Sequence, residues 1–543
     1  MKKTVVSALL FPLLLVSLLH AQKFYPDDPL EIEPVPLYVE DANYRKLNDY
    51  YDFFLHTFTK PGERQPKRKK DKQAELIPAQ AINTLGEVPD SAWFTNRIGS
   101  RSVSIEELLK GPGNENAPSM DGAWTITAAK TEGISPGFRI QDSTGKRYLL
   151  KVDPMSNPEM ATGADVIGSA FFHALGYNVP ENYLVTFKED KLVVGEDTVL
   201  VDAEGRKRPM SRRDVTEILL KVPRDAQGRI RGVASYFLKG EMLGEFRYHG
   251  TRSDDPNDIV PHEHRRDLRG LFLFCAWLGH DDSRSINTLD SLVEEKGLKY
   301  IKHYLIDFGS ILGSASVYAN SARSGNAYLY EFKPSAIQIL TLGFYVPRWA
   351  RAKYRTFPSL GLFDYTTFKP EKWKPEYPNP AFDNRLPDDT FWAAKKIMSF
   401  TDEQIRAIVR LAQYSDPEAE SWLAQCLIER RNKIGKVYFA KMLPLDKFRV
   451  RGDRLEFEDL QVRYSFIGAR DYAVQWSYFD NDSEKHALMN GATSFTLPGR
   501  VRTAETGSYF AATIRGEDEA KTVTVYIRKQ SRGYKVVGVD RTW

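Results

Sequence analysis

The segment "HDDSRSINTLD", His280 to Asp290, follows an apolar run, Leu268 to Leu278, that reads as a buried helix. Within eleven residues it offers three acids, an arginine and an asparagine. Isolated charges are not tolerated in a core. A greasy helix that empties into such a cluster is therefore read as a rigid pedestal beneath a functional loop. Asp282 is followed five positions later by Asn287, and the apolar strand pattern "YIKHYLIDFG" then ends in Asp307, Phe308 and Gly309.

Upstream, "FRIQDSTGKRYLLKVDP" is two alternating runs joined by a Gly-containing turn, the pattern of a β-hairpin. Tyr148, Leu150 and Val152 share one face, which leaves Lys151 on the other. On the strand alone, a solvated face explains that lysine. The next stretch places Val166, Ile167, Ala170, Phe171, Ala174 and Leu175 at helical spacing, with Gly176 and Pro180 as stop signals. Asp165 lies on the remaining stripe with Gly168, Ser169 and Phe172, so the helix is packed nearly all round and its acid needs a partner. Lys151 on the neighbouring strand would serve. Glu159 is a second candidate, although it precedes the helix. "RIRGVASYFLKG" (Arg229 to Gly240) reads as a further strand, and the junction after it, between a sheet lobe and a helical lobe, is where a ligand cleft forms.

In chain order these are a strand lysine, a helix acid, a D-x-x-x-x-N loop and D-F-G. The set resembles the signature of the protein-kinase fold. His280, Asp281 and Asp282 stand where ordinary kinases carry histidine, arginine and aspartate, and Arg284 stands where a phosphate-facing lysine is common. There is no A-P-E element and no G-x-G-x-x-G loop; "KTEGISPG" (Lys130 to Gly137) is the best substitute. These departures, with "LGYNVPEN" after the helix, are similar to atypical kinases of the HipA and CotH (spore-coat) types. The resemblance covers roughly Met120 to Phe448. It implies ATP and Mg²⁺ as cofactors. Lys151, held by Asp165, would meet the α- and β-phosphates, Asn287 and Asp307 would hold the metal, and Asp282 would orient or deprotonate an acceptor hydroxyl beside Arg284. Gly133 and the Phe237, Leu238 and Lys239 link would touch the nucleotide.

The fold class expected is α+β: a two-lobed kinase-like domain over 119–447, with a β-rich lobe (119–240), a helical lobe (241–447) and a C-terminal immunoglobulin-like sandwich over 448–543. Runs such as "LEFEDLQVRYSF" and "TVTVYI" carry the last assignment. Residues 22–118 read as an irregular extension with one helix (Ala42 to Phe58) and a basic linker, "QPKRKKDKQ". A length of 543 residues suits several domains, and a net charge of +4 is too small to argue for nucleic acid. Lys2 and Lys3 before the apolar run Val5 to Leu19 form a signal-peptide pattern with a cut after Ala21; the bulk of Leu19 leaves an uncleaved anchor as the alternative. A secreted or periplasmic setting without a stable membrane span follows. Cys275 and Cys426 sit in apolar helical patterns and read as buried thiols.

Other groups have plainer explanations. His262, Glu263 and His264 lack H-E-x-x-H zinc spacing. His303 reads as a core or rim residue. The aromatic stretch "FPSLGLFDYTTFKPEKWKPEYPNP" reads as a loop wrapped on the helical lobe, with a substrate groove as the alternative. Three functions remain: an exported phosphotransferase acting on a protein or small-molecule acceptor, a non-catalytic envelope or adhesion protein on a degenerate kinase fold, and an AMP transferase on the same fold.

Overall fold

The computed structural model describes residues 22–66, 75–129, 136–201 and 206–543. The expected signal peptide, most of the basic linker and Gly133 lie outside them. The extension carries α1 (Asp49–Phe54), which runs into a π-helical turn at Leu55–Thr59, and α2 (Ile105–Lys110). The helix expected from Ala42 starts late because a distant segment claims the backbone before it. The Arg45 amide donates to Leu243 O at 2.8 Å, holding that stretch extended, and the Asn48 side chain caps α1 by accepting from the Tyr51 amide at 3.0 Å.

The extension is not a loose appendage. Phe24 is buried against Phe479 and Tyr526 of the C-terminal region, and Trp93, Phe94 and Ile98 belong to the main core. Phe94 packs where α3, described next, ends: a Cβ on Gly176 would lie 2.2 Å from its ring, and φ there is +126°.

The sheet-rich lobe contains β1 (Trp124–Ala129), β2 (Gly137–Gln141), β3 (Arg147–Val152), α3 (Met160–Leu175), β4 (Asn182–Phe187), β5 (Leu192–Val194), the small hairpin β6 (Val199–Val201) and β7 (Lys207–Pro209), α4 (Arg212–Leu219) and β8 (Ile230–Tyr236). Six strands form one sheet in the order β4-β8-β3-β2-β1-β5. Alternation decides its faces. Phe138, Ile140, Tyr148, Leu150 and Val152 fill one core, while Lys151, opposite Val233 of β8, points to the other side, where Val233 joins the core that contains α3. All of α3 except His173 is buried, as its all-round packing required. Its first turn is held by Asp153, which accepts from the Thr162 amide at 2.9 Å.

The helical lobe begins after β9 (Glu241–Gly244) with α5 (Arg266–Leu278), every residue of which is buried. A hairpin, β10 (Thr288–Glu295) and β11 (Leu298–Leu305), interrupts the helices and forms a three-stranded sheet with β9. Then come α6 (Phe332–Leu340), α7 (Arg348–Arg351), α8 (Pro380–Asp383), α9 (Pro387–Met398), α10 (Asp402–Arg410) and α11 (Pro417–Phe439). The aromatic stretch wraps this lobe, with Phe363, Phe368, Trp373 and Tyr377 buried on it.

The C-terminal region is all-β apart from two helical turns. It has β12 (Leu445–Arg451) paired with β13 (Arg454–Asp459), α12 (Leu460–Arg463), β14 (Ala473–Phe479), β15 (His486–Leu488), α13 (Gly499–Arg502), β16 (Tyr509–Arg515), β17 (Thr522–Lys529) and β18 (Tyr534–Arg541). Five strands make one antiparallel sheet in the order β15-β14-β16-β17-β18. "LEFEDLQVRYSF" is not one strand: the Asp459 side chain accepts from the Gln461 amide at 2.8 Å and turns the chain into α12. Among the described residues no helix is long and apolar enough to cross a membrane.

Candidate active site

Three elements deliver the central charges. Strand pleating places Lys151 on the α3 side of β3, and the turn of α3 brings Asp165 beneath it. Lys151 Nζ lies 3.1 Å from Asp165 Oδ2 and 2.8 Å from Asp307 Oδ1. The Lys151 and Asp165 side chains are 10% and 2% exposed, whereas Asp307 is 39% exposed and opens the cluster to solvent. Burial pulls the lysine towards its neutral form, but the two carboxylates outweigh it and hold Lys151 charged, above its ordinary range.

Asp307 adopts a left-handed backbone, φ +61°, as it leaves the chain after β11. That turn drops Phe308 into the core, stacked on Phe172 of α3 at 4.9 Å between ring centroids. Gly168 makes the close approach possible, since a Cβ there would lie 2.5 Å from Phe308 Cβ. One helix thus holds Lys151 through Asp165 and seats Phe308 through Phe172 and Gly168.

The loop beyond α5 forms the second half. Gly279, φ +70°, ends the helix, and the Asp282 carbonyl accepts from Asn287 Nδ2 at 2.6 Å, closing the D-x-x-x-x-N segment into a tight turn. The β10–β11 pairing, Thr288 opposite Leu305, brings this turn beside Asp307, and the Ile306 amide donates to Asn287 O at 3.0 Å. Ser310 Oγ donates to Asp282 Oδ2 at 3.1 Å. Lys151, Asp165, Asp307, Asn287 and Asp282 are therefore one neighbourhood, assembled from residues 156 positions apart at the Lys151–Asp307 contact.

No family model matches the chain, and no curated protein matches it. Among solved structures it is similar to the Golgi casein kinase with Mn/ADP bound, at a TM-score of 0.30 and 11% identity, over 62% of this chain and 74% of that one. A second structure of the Golgi casein kinase gives a TM-score of 0.28 and 10% identity over the same shares.

Electrostatics separates the loop's groups. Burial raises Asp282 above the usual carboxylate range despite the opposing charge of Arg284. Asp281 is pushed up to about 7 by burial, and its carboxylate accepts from Ser324 Oγ. Burial lowers His280 to about 4, so its ring is neutral. Arg284 is tied down: it pairs with Asp282, with Asp49 of α1 at 2.5 Å and with Glu376 at 3.4 Å. It therefore faces acidic side chains from the extension and the aromatic loop, where the kinase resemblance implied a phosphate-facing role. Glu376, buried and beside Asp282, Asp281 and Asp49, is raised to about 8.

The Phe237–Lys239 link joins β8 to β9 at the lobe junction. The Phe237 amide donates to Arg147 O at 3.1 Å and Ser291 Oγ donates to Lys239 O at 2.7 Å. Glu159 accepts from the Ser415 amide at 2.9 Å and makes no contact with Lys151 among the described residues. His262 and His264 bond Asp258 and Glu63, and among the described residues no group of three or more His, Cys, Asp or Glu could hold a metal ion. His303 is buried, stacked on Trp93 and bonded to Asp290 at 2.7 Å. Both cysteines are buried and free. Asp49, Glu376 and Ser310 were missed by sequence reasoning. Ser310 was findable one residue past D-F-G; Asp49 and Glu376 carry no motif.

Proposed function

We propose that this chain is an atypical kinase-like phosphotransferase that moves the terminal phosphate of ATP to an acceptor hydroxyl. The observation that carries the reading is the placement of Lys151 between a buried helix acid, Asp165, and the partly open Asp307, beside the Asp282–Asn287 turn. A merely structural ion pair needs only two of these groups and no exposed carboxylate.

Each residue has a role consistent with its surroundings. Lys151, kept charged, would neutralise the α- and β-phosphates. The donor set suits Mg²⁺, which takes one or two carboxylates and keeps several waters: Asp307 is partly exposed, and Asn287 uses its amide nitrogen on the Asp282 carbonyl, which leaves its side-chain oxygen as an acceptor. When bound, the ion would offset charge on the transferring phosphate. The Leu238 peptide, between the two hydrogen-bonded positions of the link, faces the adenine in this reading. Asp282 orients the acceptor hydroxyl; as its oxygen bonds to the terminal phosphorus and the bond to ADP breaks, the carboxylate takes the proton. Raised by burial, Asp282 is a better proton acceptor than an exposed aspartate.

The finer likeness to HipA-type and CotH-type kinases, the immunoglobulin-like character of the C-terminal β region and an exported setting, supported by the apolar run Val5 to Leu19, belong to the same proposal. ATP labelled at the terminal phosphate, incubated with the protein and Mg²⁺, is expected to label the chain or an acceptor, and Asp307→Ala abolishes the labelling. Equal labelling of that variant defeats the assignment. Label delivered only from the α-position indicates AMP transfer. Absence of nucleotide stabilisation, expected at about 2.7 kcal/mol with ligand at a hundred times Kd, indicates a non-catalytic protein.

A further inference from the structure

Between Phe332 and Phe363 the chain contains no Asp or Glu, while Lys333, Arg348, Arg351, Lys353 and Arg355 fall within it. In this acid-free stretch lies α6, a helix with no buried residue. Phe332, Ile339, Leu340, Leu342 and Phe344 are each between 72% and 86% exposed. Large apolar side chains left this bare in a folded lobe mark an interaction surface. The patch continues across Tyr330, whose ring lies 5.6 Å from Phe58, onto α1 and its π-helical turn, where Tyr50, Tyr51, Phe54 and Phe58 are exposed.

We propose that this surface seats the protein on an anionic lipid bilayer. The occupant is argued from charge and chemistry. Lys333, Arg351 and Lys353 are exposed in the same stretch as the apolar residues, and no acid in the stretch opposes them. Exposed Phe and Leu side chains in company with cations are the pattern that lies at the boundary of headgroups and acyl chains. Exposed Tyr residues at its margin suit the same interface. At nine residues α6 is too short to cross a bilayer, so the contact it makes is peripheral.

The patch is mechanically joined to the candidate site. Ser324 donates to Asp281, the Leu329 amide to Glu376 O at 2.6 Å, and the Glu376 amide to Asp281 O at 2.9 Å. A chain seated through α6 holds the Asp282 loop near the lipid surface, so an acceptor carried on a lipid or at the membrane surface reaches it without a long excursion. The docking itself stands whether or not the site transfers phosphate.

The apolar run Val5 to Leu19 could hold the chain to a vesicle by itself, so the test reads the patch locally. Both native cysteines are buried, and a Phe344→Cys variant of the full chain takes an environment-sensitive dye at the patch alone. Vesicles of phosphatidylserine and phosphatidylcholine are expected to shift the dye to an apolar emission that high salt reverses; phosphatidylcholine vesicles leave it unshifted. Replacing Arg351 and Lys353 by Gln weakens the shift about fivefold per cation. A dye at Leu488→Cys, exposed in the C-terminal sheet, stays in water. The proposal is overturned by an unshifted Phe344 dye, by an equal shift on neutral vesicles or at Leu488, or by a shift without vesicles that grows with protein concentration, which would assign the patch to a second copy or another protein.

Discussion

Replacing Lys151 by Met keeps the length and apolar stem of the side chain and removes its charge. Asp165, 2% exposed and 3.1 Å from the lost ammonium, is then a buried carboxylate without its cation. Breaking one partner of a buried pair costs about 3–5 kcal/mol. The Asp307 contact is shorter, at 2.8 Å, but its carboxylate is 39% exposed, so its loss adds about 1 kcal/mol or less. The expected loss in urea unfolding at pH 7 is therefore about 4 kcal/mol, nearly all of it from Asp165. Two further measurements isolate that cause. In Lys151→Met/Asp165→Asn the buried charge is gone and only a neutral polar group is left there, so about 2 kcal/mol returns. In the single variant the loss of the ammonium favours the protonated form of the buried Asp165 carboxyl, so the native state takes up a proton more readily than the parent does. Stability then falls as pH rises, and the deficit is smaller at pH 5 than at pH 8. A single-variant loss below about 1 kcal/mol, independent of pH and unrelieved by the second substitution, refutes the reasoning.

Two other outcomes follow from the same geometry. Gly168→Ala presses a methyl group onto Phe308 and Ile311 and is expected to cost about 1–3 kcal/mol in thermal or urea unfolding; by displacing Phe308 it also reduces nucleotide-induced stabilisation, which calorimetry checks. Glu376, raised to about 8 by burial and three neighbouring carboxylates, keeps its proton in the native state over a range where the unfolded chain has lost it. Stability is therefore fully retained below pH 4.5 and declines up to about pH 8, so Glu376→Gln is expected to gain on the order of 1 kcal/mol relative to the parent between pH 5 and pH 8, read by denaturation at both values.

Much of the site was legible because its parts are local. The alternation around Lys151 and the 3.6-residue repeat around Asp165 fixed which way each side chain points, and two charges without neighbours in the primary order implied each other. The closing of Asp282 on Asn287 is likewise a matter of five residues. Arg284 was harder. Its place in the kinase-like pattern suggested phosphate, but its partners Asp49 and Glu376 come from an extension and a loop that carry no periodic pattern. The extension as a whole was underestimated for the same reason: Phe24, Trp93 and Phe94 are isolated aromatics in irregular chain, and burial there depends on surfaces made by distant elements. The Asp459 cap shows the reverse case, where one side chain ended a strand that alternation would have continued.

The sequence by itself pointed to the element types around the candidate site, to Asp165 or Glu159 as the partner of Lys151 and to two buried thiols, because these follow from short-range periodicity and from the cost of an unpaired buried charge. Only the tertiary structure decided that Asp307 shares the same lysine, that Arg284 is claimed by acidic side chains from three segments, and that α6 stands bare. Those depend on how whole elements pack, and contacts spanning tens to hundreds of residues leave no local pattern in the chain.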